Sequence, residues 1–95
     1  MCLAFTAQAE DASDKEIYEL CAESSNAAKK IMIMRQKDVS IVALMEAMKN
    51  SSLGRDIVTH AYKERVWRTE DHKQRVINEF ATKYYLECIK TYKGE

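Results

Sequence analysis

Two cysteines near the ends of the chain are the side chains most able to do covalent chemistry. Of three cysteines, Cys2 lies in an uncharged N-terminal run, whereas Cys21 and Cys88 lie near the two ends of the remaining chain. In an exported protein this pair predicts one disulfide, and in the cytosol it predicts two buried thiols. A bridge closing that loop would stabilise the fold by about 4 kcal/mol on a chain-entropy estimate.

A second set of reactive side chains, Asp56, His60 and Glu64, is spaced four residues apart, which on a helix places all three on one face. They could form half of a metal site, but the sequence contains no Cys-x-x-Cys or His-Glu-x-x-His spacing. A solvated row of i,i+4 charges is the favoured interpretation, so we predict no metal and no other cofactor. Because there is also no Gly-x-Ser-x-Gly elbow, we predict no catalytic residue and expect a non-enzymatic protein.

A basic stretch over residues 63–75 surrounds the single tryptophan, Trp67. The whole chain has fifteen basic and fifteen acidic residues and a net charge of zero, which does not favour a nucleic-acid binder. Trp, Tyr and Arg are typical anchors of protein interfaces, so this stretch supplies candidate interaction residues. These candidates, with two residues from the end of the first helix, are Arg35, Gln36, Tyr62, Arg65, Trp67 and Arg68. The alternative for Trp67 is that it covers the core at a helix junction.

The N-terminal residues 1–9 carry no charge and end in Ala7-Gln8-Ala9, directly before an acidic stretch that starts at Glu10. A short apolar run followed by an A-x-A site is typical of the end of a secretory signal. We predict that residues 1–9 are the remnant of a signal peptide cleaved after Ala9, and that residues 10–95 form a single helical domain. The alternative is an apolar N-terminus on a cytosolic protein.

The elements that must position these side chains are helices, because the chain has no proline and two glycines. Capping residues and apolar periodicity predict four of them. The first begins at Ser13 and ends near Gln36, the second runs from Ser40 to the turn at Asn50, the third covers roughly 53–66, and the fourth runs from the cap Thr69 to about Tyr92.

Apolar stripes on these helices predict the architecture. Cys21 lies on the apolar face of the first helix, near its start, and Cys88 lies on that of the last helix, near its end. We therefore predict an all-α bundle of about four helices, with the first and last antiparallel and joined by a disulfide. The expected core includes Leu20 and Met34 in the first helix and Ile41, Leu44, Met45 and Met48 in the second. Met32 lies off the stripe and is the candidate for exposure.

Several short segments form a recognisable combination: Tyr18-x-x-Cys21, Ile31-Met32-x-x-Arg35-Gln36, Val39-Ser40, Ala61-Tyr62, Phe80 and Cys88. Together they resemble a family of small exported two-cysteine helical proteins of bacteria and their phages or prophages. Relatives tend to carry Gly where this chain has Asp38, and Pro near Arg65. The resemblance implies an exported location and a two-cysteine helical build, with no activity attached. From physics alone, Arg35 at a helix C-terminus complements the helix dipole and can bind the last carbonyls.

Together these features predict a periplasmic or secreted helical protein that binds another protein of the cell envelope, as an inhibitor or an accessory factor of phage or prophage origin. The alternative is a cytosolic regulatory module that contacts nucleic acid through residues 63–75, and a homodimer is a further option. No stretch approaches the roughly 18 apolar residues of a membrane span, so we expect none in the mature chain.

Overall fold

The helical architecture predicted from the sequence is confirmed in a computed structural model, which describes the backbone of residues 2–93 and the side chains of residues 14–93. Within the described backbone there are four helices and no strand. They are α1 (Cys2–Gln36), α2 (Ile41–Ala47), α3 (Ser52–Ala61) and α4 (Glu70–Lys93). The side chains of the predicted signal remnant, residues 1–9, lie outside the described residues.

The frame of the molecule is the antiparallel pair of α1 and α4, which pack more closely than any other two helices described here. Cys21 and Cys88 form a disulfide with their Cα atoms 5.5 Å apart, as predicted. Further along, the Ser25 hydroxyl donates a hydrogen bond to the Ala81 carbonyl at 2.9 Å. The later residue of α1, Ser25, contacts the earlier residue of α4, Ala81, so the two helices run in opposite directions.

Local capping sets three of the helix starts. The Ser40 hydroxyl accepts a hydrogen bond from the backbone N–H of Val42, and the Thr69 hydroxyl accepts one from His72. Both caps were predicted and are confirmed. Ser51, whose side chain accepts from Gly54 at 2.9 Å, caps α3 in the same way.

The predicted start of the first helix at Ser13 is wrong, because α1 is already helical from Cys2. Residues 2–12 contain four Ala and one each of Leu, Gln and Glu, which favour helix, and no Gly or Pro that would interrupt it. Ser13 therefore lies inside a 35-residue helix. Cys21 consequently lies near the middle of α1 and not near its start.

The core lies where α3 packs against the α1–α4 pair. Its largest fully buried side chains include Met32, Ile57 and Val58. Met32 is 1% exposed, so its expected exposure is wrong. Leu20 and Met34 are instead 44% and 40% exposed, because the inward face of α1 is centred on Cys21, Ala28, Ile31 and Met32, and both side chains lie at the edge of that face.

The short helix α2 buries less than predicted. None of its residues is fully buried, and Ile41 is 40% exposed. Leu44, Met45 and the C-cap residue Met48 are half-buried against the core. A helix of two turns packs only a narrow face against its neighbours, and Ile41 lies at the edge of that face.

The end of α1 is a left-handed turn at Asp38, which has a φ of 62°. The Val39 N–H bonds to the Met34 carbonyl at 3.1 Å, and the Asp38 N–H bonds to the Arg35 carbonyl at 2.9 Å. This pair of bonds is the Schellman motif, which places its left-handed residue where glycine is usual. Asp is one of the few other residues that adopt this conformation with little strain.

Candidate interaction surface

The Gln36 side chain joins the end of α1 to the loop between α3 and α4. Gln36 is 2% exposed, its Nε2 donates to the Arg65 carbonyl at 2.8 Å, and its Oε1 accepts from the Trp67 N–H at 2.9 Å. One amide thus satisfies a backbone acceptor and a backbone donor on either side of Val66. The side-chain amide thus pairs with the loop backbone through one donor and one acceptor, as a peptide group of a neighbouring β-strand would.

Arg35 holds the same loop one residue earlier. Its Nε donates to the Glu64 carbonyl at 2.8 Å, and its guanidinium lies over the Tyr62 ring, 4.6 Å from the centroid. The Tyr62 hydroxyl in turn donates to the Val39 carbonyl. Burial raises the pKa of the Tyr62 phenol above its ordinary value, with Arg35 opposing that shift.

These contacts explain why the predicted third helix, 53–66, is too long at its C-terminal end. α3 ends at Ala61, five residues before Val66. The carbonyls of Glu64 and Arg65 accept hydrogen bonds from side chains of α1, and the Trp67 N–H donates to Gln36, so these contacts hold the backbone after Ala61 in a loop. Tertiary hydrogen bonds therefore outweigh local helix propensity in residues 62–66.

Trp67 lies in the middle of this loop with its ring already in contact with two neighbours. The Arg65 guanidinium is 4.4 Å from the ring centroid, and the His72 ring is 4.9 Å away. Trp67 Nε1 is buried and has no hydrogen-bond partner among the described residues. These contacts leave the ring less available for stacking on a nucleic-acid base than the sequence suggests.

The six candidate interaction residues thus meet at one end of the bundle. Arg35, Gln36, Tyr62 and Trp67 make contacts within the protein, as described above, and these contacts position the loop. Arg65 and Arg68 are the exposed members. The exposed surface at this end therefore consists of two guanidinium groups on a loop that is held by partly buried hydrogen bonds.

A different surface, which sequence reasoning missed, is an apolar groove between α1 and α4 beside the disulfide. We call it the α1–α4 groove. It encloses about 400 Å³ and is lined by Leu20 and Ala27 of α1, Leu53 of α3, and Cys88 and Tyr92 of α4, among others. Leu20, Leu53 and Tyr92 are 44%, 50% and 56% exposed. Large apolar side chains clustered in a concave surface are typical of binding sites.

The groove exists because α3 covers only part of the α1–α4 pair. Leu53, in the first turn of α3, lines the groove together with Ala27 and Tyr84. The C-terminal end of α3 leads to the loop at Gln36, so α3 runs alongside the second half of α1. Beyond Leu53, residues 20–27 of α1 and 84–92 of α4 form a two-helix floor. The sequence placed Leu20 in the core, because an apolar stripe shows which side chains face inward and not whether a neighbour covers them.

Tyr84 links the groove to the side chains of His60 and Asp56 on α3. Its hydroxyl lies 2.8 Å from His60 Nδ1, and the same nitrogen lies 3.5 Å from a carboxylate oxygen of Asp56. Burial, reinforced by the charges of Asp56 and Glu87, raises the pKa of Tyr84 to about 12. At neutral pH this phenol is therefore protonated, and its role is that of a hydrogen-bonding group.

Asp56, His60 and Glu64 do not share one helix face as predicted, because α3 ends before Glu64. The His60–Asp56 contact remains as an i,i+4 pair. Within residues 14–93, whose side chains are described, no group of three His, Cys, Asp or Glu is placed to hold a metal ion.

No described helix combines the length and the apolar character that crossing a membrane would require. Comparison with family models, with curated proteins and with solved structures finds no match for this chain. The resemblance to small exported proteins of bacteria and phages therefore stays a prediction.

Proposed function

We propose that this chain is an exported, disulfide-stapled helical protein that acts by binding another protein of the cell envelope. The observation that carries the binding role is the α1–α4 groove, in which leucines 20 and 53 and Tyr92 stand about half exposed on a rigid frame. Removing apolar surface from water is favourable by about 25 cal/mol for each square ångström. A partner that covers these side chains would gain this free energy on binding.

Export is supported by the paired cysteines. Cys21 and Cys88 join the two longest helices covalently, and structural disulfides of this kind persist in oxidising compartments. The uncharged run ending in Ala9 points the same way. An inhibitor or an accessory factor of phage or prophage origin is the role we propose within this class.

A site-specific crosslink in living cells tests the proposal. A photo-reactive amino acid at Leu53 reports on the α1–α4 groove, and the same amino acid at Leu86, which is 59% exposed on α4 and does not line the groove, is the matched control. We expect a discrete heterologous adduct in the periplasmic fraction from position 53 and none from position 86. Equal labelling at both positions, or no adduct from 53, would contradict the binding role.

A further inference from the structure

We propose that the α1–α4 groove binds a basic amphipathic helix of the partner protein, which lies beyond the N-terminal end of α3. This inference rests on the proposed function and names the chemistry of the partner. It follows from the shape of the floor and from the charges along its walls.

The shape of the groove fits two turns of helix. Its α4 wall extends from Tyr84 to Tyr92, eight residues or about 12 Å along the helix axis. On the α1 wall, Leu20 and Ala27 are seven residues apart, a spacing of two turns that places both on the same face of the helix. A third helix seated between two antiparallel helices completes a bundle, and helical ligands commonly enter such grooves through apolar residues at i, i+3 or i+4, and i+7.

The charges around the groove favour a basic occupant. Among the described residues that line it, Glu23 on α1 and Glu87 on α4 are carboxylates, one on each wall, and none is a cation. Both are exposed to solvent. Lysine or arginine side chains flanking the apolar face of an incoming helix would meet one carboxylate on either side, whereas an acidic helix would be repelled.

This acidity is a local property, since the whole chain has no net charge. The residues that form the floor, 20–27 and 84–92, hold two carboxylates, Glu23 and Glu87, and one lysine, Lys90, a balance of −1. Residues 14–19, the preceding turns of α1, add three carboxylates and one lysine. Lys93 at the end of α4 lies 3.8 Å from Asp14, so its charge is shared with that carboxylate.

A displayed library of helical peptides of random sequence tests this inference directly on the purified, oxidised full-length chain. We expect the selected peptides to be enriched in Lys and Arg on both sides of a Leu, Ile or Phe stripe. Their affinity should fall at least about tenfold in Leu53→Asp and in the double variant Glu23→Lys, Glu87→Lys. Leu53→Asp should fold, because an acidic residue in the first turn of α3 complements the helix dipole.

The control variant Leu86→Asp changes an equally exposed leucine outside the groove and should leave affinity unchanged. Selected peptides that are neutral or acidic, peptides that bind Leu53→Asp as tightly as the unmodified chain, or a library that yields no binder would overturn the inference. Concentration-dependent dimerisation that Leu53→Asp abolishes would assign the groove to a second copy and would overturn it as well. Because this assay does not depend on export, its failure alongside a position-53 crosslink would refute the partner's chemistry and leave the proposed function standing.

Discussion

Replacing Gln36 with alanine is expected to lower the free energy of unfolding by about 3 kcal/mol. The substitution removes two hydrogen bonds and leaves the Arg65 carbonyl and the Trp67 N–H without a side-chain partner. Each orphaned backbone group in this partly buried loop costs about 1 kcal/mol or somewhat more. The lost packing of a side chain that is 2% exposed contributes the remainder.

Urea unfolding followed by far-ultraviolet circular dichroism measures this change, and the emission of Trp67 supplies a second probe inside the loop. Gln74→Ala is the matched control, because Gln74 is exposed and its amide bonds to the Asn78 side chain at 3.4 Å. We expect the control to change stability by less than about 0.5 kcal/mol. In Gln36→Ala the folded-state emission should also move to longer wavelength as water reaches the indole.

A Gln36→Ala protein within about 0.5 kcal/mol of the unmodified chain would refute the reasoning, since that is the range of ordinary surface substitutions. Unchanged Trp67 emission would refute it independently, because the loop would then be held by other contacts. Either result would also remove the explanation given above for the early end of α3 at Ala61.

Three further substitutions or conditions test other parts of the structure. Asp38→Gly should raise the free energy of unfolding by about 0.5–1 kcal/mol, because glycine adopts the φ of 62° without a side-chain penalty, and thermal unfolding measures the gain. The double variant Cys21→Ser, Cys88→Ser should lose about 4 kcal/mol in urea unfolding, since the bridge spans 67 residues. Stability should fall by about 2 kcal/mol from pH 10 to pH 12, because folding raises the pKa of Tyr84 to about 12 and so favours its protonated form. That contribution is complete below pH 10, and it should be absent in Tyr84→Phe.

Each of these expectations has a clear opposite. A loss of stability in Asp38→Gly would show that the ion pair with Arg35 outweighs the backbone strain. A double serine variant as stable as the oxidised chain would show that the α1–α4 pair needs no covalent link. A Tyr84→Phe protein with the same alkaline loss as the unmodified chain would assign that loss to other groups.

The sequence predicted correctly two helix caps, which are decided by near neighbours in the chain, and one long-range pairing. Ser40 and Thr69 act as caps through backbone groups two and three residues away, so their patterns are visible locally. The cysteine pairing was predicted because both residues lie on apolar faces, and antiparallel packing of the first and last helices brings those faces together.

The features that the sequence did not predict depend on contacts between distant segments. α3 ends early because side chains of α1, about thirty residues away in the chain, bind its loop carbonyls. The core position of Met32 and the exposure of Leu20 depend on how α1 is rotated and on where α3 begins. Apolar periodicity alone gives neither the rotation of α1 nor the position at which α3 begins to cover it. For that reason the α1–α4 groove could not be found from the sequence.

We propose that the Cys21–Cys88 disulfide, which joins α1 to α4, forms outside the cytosol. Expressing the gene with its upstream sequence, trapping thiols with an alkylating agent before lysis, and separating periplasm from cytoplasm for mass spectrometry tests this proposal. We expect periplasmic chains that begin at Glu10 and whose residues 21 and 88 react only after reduction. Chains that stay in the cytoplasm with both cysteines alkylated at once would refute it.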